Sequence, residues 1–124
     1  MLLIGNSFPL SLIRRRVVVE PCPLADLTAR LADGEAIASF WGHANTLAAA
    51  ETLTGRSLKP ATERPTLALS PDGLPTLQGH SFRECWILSP DYSENFRPKI
   101  GEEVPAEKIR SWQVLRMEWE TNTP

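Results

Sequence analysis

The chain has 124 residues, of which 42% are hydrophobic and 23% charged, with a formal net charge of −2. This length and composition suit one folded domain over residues 1–124 and exclude a fibrous or wholly disordered chain. The slightly negative charge argues against binding to long nucleic acid, because such proteins usually need a broad basic face. A small anionic ligand needs only a few local cations and stays compatible with this charge.

Cysteine usage and the first residues predict a cytoplasmic protein without a membrane partner. Cys22 and Cys85 lie far apart and belong to no C-x-x-C pair, which predicts two reduced, buried thiols in a reducing cytosol. The apolar start over residues 1–13 is interrupted by turn-forming residues, and its arginines follow it. That order does not fit a signal peptide, and the stretch is shorter than the roughly 20 residues of a membrane span.

The first third of the chain predicts two strands and a helix. The continuous apolar run from Leu2 to Ile4 predicts a buried strand that stops at a turn. Three consecutive valines predict a second strand over about 15–20, which Pro21 would end. From Pro23 to Gly34, apolar residues recur at near-helical spacing and predict an amphipathic helix of about ten residues.

The middle of the chain predicts a second helix followed by a loop-rich segment. The helix runs from about Asn45 to Thr54 and is closed by Gly55 in a left-handed conformation. Four prolines between residues 59 and 79 predict mainly loop, with at most a short strand over 66–69 and a turn over 70–73.

The last third predicts two strands and completes the fold class. Cys85 to Leu88 predicts a strand ended by Pro90, and residues 105–109 could begin a short helix. Trp112 to Trp119 predicts a final strand with one mostly apolar face on the core, formed by Gln113, Leu115, Met117 and Trp119. This order predicts an α/β or α+β fold, a small mixed β-sheet flanked by helices.

The sharpest local feature is Gly42-His43-Ala44-Asn45-Thr46. A glycine lets the backbone turn sharply, and Asn45 or Thr46 can cap the following helix. Such a helix start attracts phosphate through its free amides and its dipole. His43 could then donate a proton to a leaving oxygen, worth about 10²- to 10⁴-fold in rate. A structural histidine near a helix end is the plainer alternative, and the pattern alone favours it.

Other candidate residues carry weaker signals. His80 lies in the proline-rich segment and is interpreted as structural or surface. Residues 14–16 are three arginines and read as a solvated flank, whereas Arg97 could clamp a phosphate. Two histidines and two isolated cysteines do not form a metal-binding set, and no P-loop occurs, so we expect neither metal nor cofactor.

With these residues, the chain resembles the viral anti-CRISPR ring nuclease family, small proteins that degrade the cyclic tetra-adenylate messenger of type III CRISPR defence. The resemblance is strongest from Val17 to Gly55. Within it, Gly42, His43, Thr46 and Gly55 follow the family pattern in order and spacing.

The resemblance extends to three separate segments and also shows departures. Asn6-Ser7-Phe8 is similar to the family's Asn-Ala-Phe, Arg64 falls where a ligand-binding arginine is expected, and Arg97-Pro98-x-x-Gly101 resembles its Arg-Pro-x-x-Gly segment. Pro9 replaces a serine of the family, and Ile100 replaces an acidic residue. The chain also carries extra residues, as a family-atypical insertion within about 66–96.

The resemblance implies a homodimer that binds one symmetric cyclic oligoadenylate at the subunit interface. It implies metal-free attack of a ribose 2′-hydroxyl on its own phosphate, with His43 as the proton donor. The substrate-binding residues that it implies are Asn6, Ser7, Gly42, Asn45, Thr46, Arg64 and Arg97.

Two alternatives to the ring nuclease remain. Ile100, in place of an acidic residue, suggests a sponge that sequesters a cyclic nucleotide without cleaving it. A small structural or regulatory protein, in which Gly42-His43 only begins a helix, is the third possibility.

Overall fold

The fold is a five-stranded mixed sheet with three parallel strands at its centre and edge, covered by a layer on each face. The computed structural model describes residues 1–42, 44–62, 65–92, 104–105 and 108–120. Along the chain the elements are β1 (Leu2–Gly5), a 3-10 turn (Leu10–Leu12), β2 (Val17–Cys22), α1 (Leu24–Leu31), β3 (Ile37–Ser39), α2 (Ala44–Thr54), β4 (Ala68–Leu69), β5 (Pro75–Leu77), β6 (His80–Ser81), β7 (Glu84–Tyr92) and β8 (Ile109–Trp119).

The main sheet has five strands in the order β2-β8-β7-β1-β3. β1 pairs in parallel with β3 on one side and β7 on the other, whereas β8 is antiparallel to both β7 and β2. Parallel strands need cover on both faces, and Leu2, Leu3 and Ile4 are all buried. The mixed sheet confirms the predicted fold class and is of the α+β type.

The two faces of the sheet are covered by different layers. Leu2 and Ile4 pack in one cluster with Leu27 of α1 and Ala50 of α2. Leu3 packs in the opposite cluster with residues of a second, three-stranded sheet in the order β4-β5-β6. The helices therefore cover one face only, rather than flanking the sheet.

The prediction that residues 59–79 hold at most a short strand over 66–69 is wrong for β5 (Pro75–Leu77), and β6 (His80–Ser81) follows directly after this segment. Leu74 and Leu77 are buried against the main sheet, together with Phe82, and burial of these side chains favours a short antiparallel sheet. β4 lies within the predicted strand over 66–69, and the turn over 70–73 is present, with the Gly73 N–H donating to the Ser70 carbonyl at 3.0 Å.

Neither proline that was predicted to end a strand does so. Pro21 lies within β2 and pairs with Leu115, and Pro90 lies within β7 and pairs with Trp112. β2 is the outermost strand, and β7 has no β1 residue beside it beyond Ile87. A proline tolerates such edge positions because its missing N–H need not pair with a neighbouring strand.

The helices and the last strand follow the predictions closely. α1 spans eight residues after Pro23, and Gly55, with φ of 70°, closes α2 as predicted. β8 carries the predicted apolar face, with Met117 and Trp119 buried. It begins at Ile109, so this end of the short helix expected over 105–109 is a strand, and residues 106–107 lie outside the described part of the chain.

Both cysteines are free thiols, although only Cys85 is fully buried and Cys22 is half-buried. Burial raises the pKa of the Cys85 thiol well above its usual range, which makes it a poor nucleophile at neutral pH. No helix in the described part of the chain is long and apolar enough to span a membrane.

An ionic cluster ties the beginning of the chain to α1 and β7. The amino group of Met1 contacts a Glu35 carboxylate oxygen at 2.7 Å, and Arg30 contacts the other oxygen of Glu35. Arg30 also reaches Glu84 at 3.2 Å. The Met1 amino group and Arg30 lower the pKa of Glu35 from 4.5 to about 2.

We expect Glu35→Gln to lower the melting temperature in a pH-dependent manner. A carboxyl group with a depressed pKa stabilises the fold above its unfolded pKa and loses that effect as the pH falls toward its folded pKa. The difference from wild type should therefore be full above about pH 4.5 and shrink toward pH 2, as measured by thermal unfolding. Asp33→Asn is the control, because Asp33 is more exposed than Glu35. An equal pH-dependent loss of melting temperature in Asp33→Asn would contradict the role assigned to Glu35.

We also expect Gly5→Ala to destabilise the protein by about 1–3 kcal/mol through overpacking. A Cβ at Gly5 would lie only 2.4 Å from the Phe40 ring. Gly42→Ala is the matched control, because the nearest described atom to its Cβ would be Asn6 Oδ1 at 3.8 Å. Denaturant unfolding should show a change within about 0.5 kcal/mol for the control, and equal losses for both variants would refute the steric argument.

Candidate functional site at the carboxyl edge of the parallel strands

The carboxyl ends of the parallel strands bring separate parts of the chain together. β1 ends at Gly5 and is followed by Asn6, and β3 ends at Ser39 and leads to Gly42. β7 runs past the same edge at Ser89. In open sheets with parallel strands, this edge is where ligands most often bind.

Asn6 connects all three strands at this edge. The Ser89 hydroxyl donates to the Asn6 carbonyl at 2.6 Å. The Gly42 N–H donates to Asn6 Oδ1 at 2.8 Å, and the Phe40 N–H donates to the Ile4 carbonyl at 3.0 Å. The segment that leaves β3 is therefore fastened to β1 twice before it reaches residue 43.

The turn before Gly42 is fixed by buried hydrogen bonds. Ser39 donates its hydroxyl to the Leu58 carbonyl at 2.6 Å and accepts the Trp41 N–H at 3.2 Å. The Trp41 indole N–H donates to the Thr46 hydroxyl oxygen, also at 3.2 Å. This contact ties the turn to the first turn of α2.

The beginning of α2 differs in detail from the prediction. The helix begins at Ala44, so Asn45 and Thr46 lie inside its first turn and do not cap it. The Thr46 hydroxyl is instead occupied by the Trp41 indole. The first amides of a helix have no partner within it and carry the positive end of its dipole, so this end suits an anion.

Gly42 is not required for an unusual backbone conformation, contrary to the expectation of a sharp glycine turn. Its φ lies outside the left-handed region, and an added Cβ would find ordinary space. Gly42 is exposed at the sheet edge.

The structure describes five of the predicted site residues and brings two of them into direct contact, Asn6 and Gly42. Ser7 is exposed beside them, and Asn45 is half-buried with its carbonyl accepting the Val104 N–H at 2.7 Å. Thr46 is fully buried. Three further predicted site residues lie outside the described residues, and their roles stay predictions: His43, Arg64 and Arg97.

The strand pair β7-β8 continues beyond β1 at this same edge. Asp91 and Arg110 form an ion pair across the two strands at 2.6 Å. The hydrogen bond from Arg110 lowers the pKa of Asp91, so the pair stays charged at neutral pH. The pair braces β7 and β8 against each other.

The two weaker candidates, His80 and the arginines at 14–16, lie away from this edge. His80 is exposed, as a surface residue is expected to be, and it lies in β6 of the small sheet, where it pairs with Leu77. Arg16 is highly exposed, as a solvated flank predicts, whereas Arg15 donates to the backbone carbonyls of Asp72 and Glu120.

Three further residues belong to this edge although no local sequence signal marks them, namely Ser39, Trp41 and Ser89. Each acts through a contact with a residue distant in the chain or across a turn. Ser89 follows an apolar run as an ordinary polar residue, and only the pairing of Gly5 with Ile87 brings it to Asn6.

Comparison with known proteins supports the fold. No protein-family model matches the chain, and no curated protein matches it significantly. Among solved structures it is similar to B116 of Sulfolobus turreted icosahedral virus, with 16% sequence identity and a TM-score of 0.56. The match covers 95% of this chain and 98% of that chain, so the likeness extends over almost the whole fold.

We expect Thr46→Val to destabilise the protein by about 1–3 kcal/mol, because it removes a buried acceptor from the Trp41 indole while keeping the side-chain shape. Thr52→Val is the control, since the Thr52 hydroxyl is exposed on the same helix and contacts only the Ala48 carbonyl in the described hydrogen bonds. Urea unfolding should leave the control within about 0.5 kcal/mol of wild type. A loss at position 46 no larger than the control's would contradict the structural role.

Proposed function

We propose that this protein is a metal-independent ring nuclease that binds and cleaves a cyclic oligoadenylate, with cyclic tetra-adenylate as the first candidate. The observation that carries this proposal is the hydrogen bond from Gly42 to Asn6. It joins Asn6, in the Asn6-Ser7-Phe8 segment, to Gly42 of the Gly42-His43 pair. These are two separate parts of the resemblance. Residues 36 positions apart thus contribute to one edge.

The chemistry uses groups of the ligand and of the protein. A ribose 2′-hydroxyl of the ligand attacks its adjacent phosphorus, forming the bond to O2′ while the bond to the O5′ of the next nucleotide breaks. Solvent takes the 2′ proton, and His43 in its protonated form gives a proton to O5′. The product is a linear oligonucleotide with a 2′,3′-cyclic phosphate end.

The remaining predicted residues supply binding and charge. The first amides of α2 point toward a phosphate that approaches this edge, and Arg64 and Arg97 neutralise charge that develops on the phosphate. Ser7 and Asn45 complete the set of proposed side-chain contacts to the substrate. The side chain of Thr46 is buried, so Thr46 contributes through its backbone amide in the first turn of α2. No metal and no organic cofactor enters the proposed step.

A symmetric ring suits two copies of one site, so the proposed active form is a homodimer in which the two-fold axis passes through the ligand. The fold likeness to a protein of an archaeal virus supports a role in the conflict between virus and host. In that role the enzyme clears the messenger in the host cytoplasm and switches off type III CRISPR signalling.

A non-cleaving sponge is the second candidate function. Ile100 stands where the resemblance leads to an acidic residue, and loss of a charged group that assists the chemistry would leave binding without cleavage. Both functions use the same edge and the same phosphate contacts. They differ in the fate of the ligand.

We expect wild-type protein to convert cyclic tetra-adenylate in EDTA to linear products with 2′,3′-cyclic phosphate ends. Chromatography and mass spectrometry identify the products. His43→Ala should lower the single-turnover rate by about 10²- to 10⁴-fold, the usual contribution of a proton donor. His80→Ala is the matched control, because that histidine is exposed on the small sheet, and its rate should equal the wild-type rate.

The other outcomes separate the alternatives. Tight binding with full recovery of the intact ring favours the sponge. If rings of three to six adenylates are neither bound nor cleaved, both functions are refuted. The Gly42-His43 turn then has a structural role only.

A further inference from the structure

We infer that Asn6 and Ser89 are positioning residues that fix the backbone preceding His43, through two hydrogen bonds that Asn6 accepts, one from Ser89 and one from Gly42. This inference rests on the proposed function for its catalytic consequence, although its structural part does not. We call the three residues the strand-end clamp. The resemblance assigns Asn6 to the ligand, whereas the geometry assigns its side-chain oxygen to the protein backbone.

The first bond of the strand-end clamp sets the peptide before residue 43. Asn6 Oδ1 accepts the Gly42 N–H at 2.8 Å. Gly42 has no side chain to anchor it, and the nearest described atom to its Cβ position is the same Asn6 Oδ1. Asn6 thus holds this exposed peptide against the sheet edge, next to the Trp41 contacts that fix the preceding turn.

The second bond holds Asn6 itself. β1 stops pairing with β7 at Gly5 opposite Ile87, so the ladder gives Asn6 no further support on that side. The Ser89 hydroxyl, two residues farther along β7, donates to the Asn6 carbonyl at 2.6 Å. A side chain thus replaces the ladder bond that the end of β1 lacks.

The residues after position 43 are anchored as well. The Trp41 indole bonds the Thr46 hydroxyl, and the Val104 N–H bonds the Asn45 carbonyl. The described backbone is therefore fastened on both sides of position 43, at residues 41–42 and at residues 45–46. A proton donor needs such support, since a displacement of about 1 Å can reduce a rate about 10²-fold.

The structural part is tested on the free protein by NMR of the Gly42 amide. Asn6→Ala should speed its hydrogen exchange about three- to tenfold, the effect of losing one hydrogen bond, and shift its proton resonance upfield. Asn6→Asp keeps the acceptor oxygen and should preserve both values. Ser89→Ala should change them in the same direction by less, and Ser81→Ala, an exposed serine of the small sheet, should change neither.

The catalytic part is tested by the split between kcat and KM on cyclic tetra-adenylate. Asn6→Ala should lower kcat about 10- to 100-fold with KM within about twofold. Asn6→Asp should recover most of kcat while its charge raises KM. A raised KM at unchanged kcat in Asn6→Ala would instead make Asn6 a ligand contact and overturn the inference.

The two proposals fail in distinguishable ways. An unchanged Gly42 amide in Asn6→Ala overturns the strand-end clamp, whatever the activity. A perturbed amide in a protein that cleaves no ring confirms the structural part and refutes the ring nuclease. Circular dichroism checks the fold of each variant, and if Asn6→Ala does not fold, Ser89→Ala takes its place in both measurements with the same direction of change.

Discussion

The parallel pairing of β1 with β3 and β7 is the constraint on which the rest of this structure depends. β1 contributes only four residues, yet Leu2, Leu3 and Ile4 are buried on both faces. A strand buried in this way needs a covering layer on each side, and its side chains alternate between them. The helices supply one layer and the small sheet supplies the other, so the position of each element follows from β1.

The same pairing concentrates polar chemistry at one edge. Because the three strands run in one direction, their carboxyl ends lead to Asn6, Gly42 and Ser89 within hydrogen-bonding distance. The interior of the sheet is apolar, so the polar groups of these three residues find their hydrogen-bond partners where the strands end. α2 begins at Ala44, two residues after Gly42, and the first amides of a helix have no partner within it and favour an anion.

The segment between α2 and β7 shows how burial overrides local signals. Its prolines predict loops, and Pro75 nevertheless lies in a strand because Leu74, Leu77 and Phe82 are needed to cover the second face of the main sheet. Pro21 and Pro90 are tolerated within strands for a different reason, since no further strand of the described residues pairs beside either of them. The sequence could not show this, because the edge of a sheet is a property of strand order.

The sequence by itself determined the elements whose signals are local. The apolar run of β1, the alternation of β8 and the closure of α2 at Gly55 were predictable because side-chain periodicity and glycine conformation act over a few residues. The tertiary structure alone decided that Asn6 holds Gly42 and that Ser89 holds Asn6. These contacts join residues 36 and 83 positions apart, and they exist because the order and register of the strands place three chain segments at one edge.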